Sequence, residues 1–227
     1  MNQFKYILFF ICLFTGRQVF SQSKKIQVKC DLLWNDSDIQ LNRYYAIGNN
    51  SDSVSFSKIK FYISNIQLIS EKSTYNQKQV YLVDAEQLKP IELHIPDDFS
   101  IKKIGLLLGT DSLTNVSGAS DGDLDPLKGM YWTWQSGYIN VKLEGMFVKQ
   151  DGEEEPFRYH LGGYRNPHVA NKSMFFSIGN TSDETKLSVN LSSFIQIARN
   201  NQEKNIMSPG NTAVELIHLF ADGFQIH

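Results

Sequence analysis

Apolar and polar residues take turns along most of this chain. Ile26, Val28, Cys30 and Leu32 alternate with polar residues, and Ile59, Phe61 and Ile63 do the same. Similar runs follow at residues 80–83, 101–108, 141–148, 157–161, 174–178 and 187–191. A period of two buries one face of a strand and wets the other. Turn chemistry separates the runs: Gly48-Asn49-Asn50, Gln150-Asp151-Gly152 and Ile178-Gly179-Asn180. Many short strands punctuated in this way predict an all-β chain folded as an antiparallel β-sandwich.

Helical signals are few. Residues 194–199 suit one or two turns. Residues 213–223 suit a short C-terminal helix, capped by Asn211 or Thr212 and stopped at Gly223. Val214, Ile217, Phe220 and Phe224 lie roughly on one face of it. Residues 110–130 form a long connection rich in Gly, Ser, Asn and Asp, and long loops of this kind are usually functional or mobile. No repeat or linker divides the chain, so residues 24–227 read as a single domain.

The first 21 residues read as a secretory signal peptide. Lys5 gives the positive start, residues 7–14 are an apolar run too short to span a bilayer, and Val19-Phe20-Ser21 suits a cut before Gln22. Cys12 lies inside the run with no lipobox, which argues against a lipid anchor. Cleavage removes Lys5 and Arg17 and takes the net charge from −2 to −4. So mild a charge, with no basic patch, argues against nucleic acid as a partner. The expected location is the periplasm or the exterior. Cys30 is then the one remaining cysteine, expected as a buried, inert thiol.

Candidate chemistry concentrates in two places. The stretch from Gly129 to Tyr138 holds two of the three tryptophans, Trp132 and Trp134, which point to the same side of an extended chain. They are either core or the floor of a site. Just before them, Asp121, Asp123 and Asp125 stand at every second position and can converge on a hard cation such as calcium. The EF-hand pattern fails there, and local turn bonds are the other reading. Five histidines are present, at 94, 160, 168, 218 and 227. None forms a tight metal pair. His160 and His168 are the nearest two, joined by a Gly-rich turn. His227, at the C-terminus, is expected to be mobile. Nucleophile-elbow, zincin, P-loop and haem-attachment signatures are absent, so the chain reads as a non-enzymatic protein.

Taken together, Lys58-Ile59-Lys60-Phe61-Tyr62-Ile63-Ser64-Asn65-Ile66, the segment from Leu124-Asp125-Pro126 through Met130-Tyr131-Trp132-Thr133-Trp134-Gln135-Ser136-Gly137-Tyr138, Lys142-Leu143-Glu144-Gly145 and Tyr159-His160-Leu161-Gly162-Gly163 resemble the MbnP family of exported copper-binding proteins. That family takes its name from a partner of the copper chelator methanobactin. The resemblance covers about residues 24–227. It implies a β-sandwich holding copper through histidine imidazoles and a kynurenine made by oxidising a tryptophan. It also implies a dihaem peroxidase-like oxidase and outer-membrane copper transport proteins as partners. Trp132 and Trp134 match the tryptophan motif and His160 the histidine motif; His168 is added on proximity. Relatives often carry a further histidine near the C-terminal region, where this chain reads Asn205-Ile206-Met207-Ser208-Pro209. Met207 is there either a soft donor suited to Cu(I) or a packing residue. Phe20-Ser21-Gln22 is typical of exports from Bacteroidetes. The alternatives to a copper protein are a carbohydrate- or ligand-binding sandwich using Trp132, Trp134 and Tyr138 as a stacking platform, and a partner-docking module without metal.

Overall fold

A computed structural model describes residues 23–49, 52–135, 137–179 and 184–227. The expected signal peptide lies outside the described residues. Ten strands carry the architecture: β1 (Ser23–Trp34), β2 (Ser53–Ile69), β3 (Tyr81–Asp84), β4 (Ile91–Pro96), β5 (Lys103–Leu108), β6 (Gly137–Val148), β7 (Glu154–Gly162), β8 (Lys172–Ser177), β9 (Glu184–Asn190) and β10 (Phe224–Ile226). Three helices accompany them: α1 (Ser112–Val116), α2 (Ser192–Ala198) and α3 (Asn211–Ala221). Each alternating run read from the sequence falls within one of these strands or overlaps it. No helix among the described residues is long and apolar enough to cross a membrane.

The smaller sheet runs β10–β9–β1, with β4 and the short Ser37–Asp38 strand also on β1. The larger sheet runs β8–β5–β2–β6–β7 and ends on Asn205–Ile206. Its central strand, β2, pairs with β6 through residues 53–61 and with β5 through residues 63–69. Most pairings are antiparallel, as expected. Two are parallel: β1 with β9, and β7 with Asn205–Ile206.

The inward faces of the two sheets share one core. Ile26, Val28, Leu32 and Trp34 from β1 meet Val54, Phe56, Phe61 and Ile63 from β2. Trp34 packs on Phe56 with ring centroids 6.2 Å apart, and Phe61 on Phe224 at 5.6 Å. Fully burying an apolar side chain of this size contributes about 1.5–3 kcal/mol. Helix α3 closes the core with Ala213, Leu216, Ile217 and Phe220, while Val214 stays half-buried at the edge of the expected stripe. Cys30 faces inward, and burial, helped by the charge of Asp31, pushes its thiol up to about 12. The inert reading therefore holds. His227 differs from expectation. Its backbone pairs with Lys186 at 2.9 and 3.1 Å and its Nε2 lies 3.0 Å from Ser188 Oγ, so the β10 ladder holds the C-terminus.

Residues 109–135 build a second layer. They cover the outer face of the larger sheet, where Met130 and Trp132 form a satellite cluster with Tyr62 of β2 and Tyr138 and Ile139 of β6. Tyr62 lies between inward-facing Phe61 and Ile63, so its side chain should meet water. The overlying segment buries it completely instead. The segment is not a bare loop. It contains α1, capped by Asp111 through a 2.7 Å bond from the Thr114 amide, and short 3₁₀ turns at Gly122–Leu124 and Pro126–Lys128.

Candidate metal centre

The tryptophan motif does not stay extended. Tyr131–Trp132 pairs with Gly137 and Tyr138 of β6, which forces the chain to reverse between them. Trp132 is therefore buried, whereas Trp134 sits on the turn with 65% of its surface exposed. Their rings remain in contact, with centroids 5.8 Å apart and planes 44° apart. The three-ring stacking platform is not presented, because Trp132 and Tyr138 are both buried.

Trp132 lies on β7. A methyl group at Gly162 would stand 2.7 Å from Trp132 Cζ3 and 2.7 Å from the Tyr138 carbonyl oxygen, so only glycine admits the indole there. His160 is two residues earlier on the same strand and thus on the same face. Gly163 performs the next task. Its φ of +138° is a glycine conformation, and its α-carbon faces the His168 carbonyl and the Pro209 ring. The chain then folds back through the Tyr164–Arg165 and His168–Val169 pair, closed by a 3.0 Å bond from the Ala170 amide to the Gly163 carbonyl. Consecutive glycines thus gather Trp132, His168 and Pro209 at one junction, next to His160.

The two imidazoles are held differently. His160 is buried, and its Nε2 lies 2.8 Å from Glu144 Oε1. Burial is the main influence on its pKa and lowers it, although Glu144 pulls the other way, so the ring is neutral at neutral pH. Its Nε2–H donates to Glu144, which leaves Nδ1 to coordinate. Burial raises the Glu144 pKa, but the bond to His160 and the charges of Lys58 and Lys142 outweigh it and hold the carboxylate low. A carboxylate that fixes the tautomer and orientation of a histidine is a recurrent support for metal ligands. His168 carries the opposite signal. Its Nδ1 is buried with no hydrogen-bond partner, as are Trp132 Nε1 and Gln135 Oε1. Buried polar atoms are nearly always satisfied, so these three call for a partner, either ordered water or a bound group.

The acidic loop gives each carboxylate separate work. Asp123 Oδ2 accepts from the Leu82 amide at 3.0 Å and its Oδ1 binds Lys128. Asp125 Oδ1 accepts from the Leu127 amide at 2.8 Å, and Asp121 begins the first 3₁₀ turn next to Ser120. The three side chains do not converge on a calcium-sized point. Among the described residues no group of three or more His, Cys, Asp or Glu side chains is placed to hold a metal ion. A cleft of about 800 Å³ is lined by Asp52, Lys149, Glu155, Arg199 and Lys204 and includes none of the predicted site residues. Arg199 there is bonded to Asp52.

The family model described as MbnP matches residues 23–209. The chain belongs to the MbnP family. A solved structure, MbnP from Methylosinus trichosporium, has the same fold at 13% sequence identity, with a TM-score of 0.58 over 83% of this chain and 82% of that one. No curated protein sequence matches. Within this MbnP fold, Glu144 and Gln135 were not singled out by sequence reasoning. Glu144 had a legible signal, because two-residue alternation sets it on the outer face with Lys142. Gln135 had none, because its burial depends on how the turn after Trp132 closes.

Proposed function

We propose that this MbnP-family chain is an exported, non-enzymatic protein that binds copper at the Gly162–Gly163 junction. The observation that carries the reading is the meeting there of a carboxylate-oriented His160, the His168 segment, whose buried Nδ1 has no partner, and the buried indole of Trp132. Neutral imidazole suits copper by ligand type. Because three imidazoles or carboxylates are not assembled among the described residues, further donors are expected from other chemistry. Oxidation of Trp132 to kynurenine supplies an amine and a carbonyl that indole lacks. Trp132 is the better placed of the two tryptophans, since it packs against the strand that bears His160.

A dihaem peroxidase-like oxidase and copper transport proteins of the outer membrane are the proposed partners. Leu113, Val116, Leu127 and Trp134 are large apolar side chains exposed on the one overlying segment, which favours docking on that side. The test uses protein recovered from its producing cells. Mass spectrometry of the 130–138 peptide should show loss of one carbon and gain of one oxygen at Trp132. Copper binding should weaken on His160→Ala by about tenfold or more, as loss of a ligand or its support usually does. Full-affinity binding with both tryptophans unmodified, or binding indifferent to His160→Ala, would sink the proposal.

A further inference from the structure

Cations from three strands meet on the outer face of the larger sheet, at the margin of the covering segment. Register sets Lys58 of β2, Glu144 of β6 and Arg158 of β7 in one cross-strand row, and Lys60, Lys142 and His160 in the next. The covering segment reaches the second row, where Lys142 Nζ donates to the Gly129 carbonyl. Lys60 is matched by Asp84 at 2.7 Å, and Glu144 is engaged by His160. Lys58 and Arg158 have no ion pair among the described residues. Four cations (Lys58, Lys60, Lys142, Arg158) against two carboxylates (Asp84, Glu144) leave this face at +2, in a chain whose net charge is −2. The row beyond Lys58, made by Tyr44, Ser55, Met146 and Pro156, is uncharged, and its Tyr44 is 54% exposed.

We propose that this face docks an acidic segment of a partner protein, with Lys58 and Arg158 as the anchoring cations and Tyr44 as the apolar contact beside them. The proposal does not depend on metal binding. Charge complementarity selects the partner. Lys58 and Arg158 flank Glu144 across three strands, which sets their α-carbons about 10 Å apart by strand spacing. Glu144 repels an anion placed at the midpoint, so the pair suits carboxylates spread along a chain rather than one small anion. Lys60 also stands directly opposite Lys142, and like charges so placed weaken a sheet. Local rules of this kind are broken where a surface has a function. The cluster was not legible in the sequence, because its members sit at alternate positions of separate strands.

The experiment uses a fluorescein-labelled deca-glutamate peptide as the probe, with fluorescence anisotropy read at low and high salt. Wild type should bind it with an affinity that falls as salt rises. Lys58→Gln combined with Arg158→Gln should lower that affinity by at least about fivefold, through the loss of two exposed ion pairs. Lys103 and Lys172 are exposed on β5 and β8. Lys103→Gln combined with Lys172→Gln removes the same charge from the far side of the sheet and should change affinity by less than about twofold. Arg158→Lys keeps the charge and should keep the binding. Thermal melting checks that each variant is folded. Equal loss in the two glutamine pairs, binding indifferent to salt, or no binding by the wild type overturns the inference. Attachment to phosphatidylglycerol vesicles without binding to the peptide also overturns it, because the partner is then a membrane surface.

Discussion

Single residues decide the site's geometry, and Gly162 decides most. An alanine there must displace either Trp132 or the Tyr138 backbone, because its methyl would stand 2.7 Å from each. We expect Gly162→Ala to destabilise the protein by about 1–3 kcal/mol, the usual cost of overpacking. Gly179 has open space around it and no positive φ, so Gly179→Ala should stay within about 0.5 kcal/mol of wild type. Urea denaturation followed by tryptophan fluorescence checks both, and equal effects would refute the packing argument. At this scale the sequence was only partly legible. The paired glycines after His160 were visible, but the reason for each was not. Trp132 comes from thirty residues earlier, and Pro209 from more than forty residues later.

Among the elements, the strands were the most legible and the overlying segment the least. Alternation in β1, β7 and β9 survives because each has one face in the core. Tyr62 breaks the rule because the cover over its outer face is distant in sequence. That cover is anchored where β2 meets α1. Asn65 takes a left-handed φ of +48° at an irregularity in the β2–β5 pairing, and its amide donates to Asp111 Oδ2 at 3.0 Å. Burial pushes the Asp111 carboxyl up, but the bonds from Asn65 and Thr114 outweigh it and hold the pKa below the ordinary 3.8. A carboxyl depressed by folding adds stability above its unfolded pKa and loses it as pH falls through the folded value. Asp111→Ala should therefore cost about 1 kcal/mol at pH 7. The gap from wild type should shrink as pH drops below 3.8. A gap unchanged at low pH in denaturant titrations would show that charge plays no part in the anchor.

Across the whole molecule, the family match stops at residue 209 but the core does not. The last 18 residues contribute Ala213, Leu216, Ile217, Phe220 and Phe224, and Phe220 touches Phe61, Phe194 and Phe224. At about 1.5–3 kcal/mol for each of the four large side chains, their removal costs about 6–12 kcal/mol, comparable to the roughly 5–15 kcal/mol by which a domain of ordinary stability is held. A chain ending at Pro209 should lose its near-ultraviolet circular dichroism and its cooperative melt. A sharp thermal transition in that truncation would mean that the sandwich closes without α3.

The parallel pairing of β1 with β9 has a further consequence, one of timing. Gln27 lies opposite Glu184, so one edge of the first strand must wait for a partner more than 150 residues downstream. Closing so long a loop is slow, and folds dominated by such contacts form in milliseconds to seconds rather than microseconds. A chain delivered end-first from a narrow pore would hold an open edge on β1 until nearly all of it had emerged. Threading and folding are thereby kept apart, and the interval between them is when this protein is most exposed to aggregation.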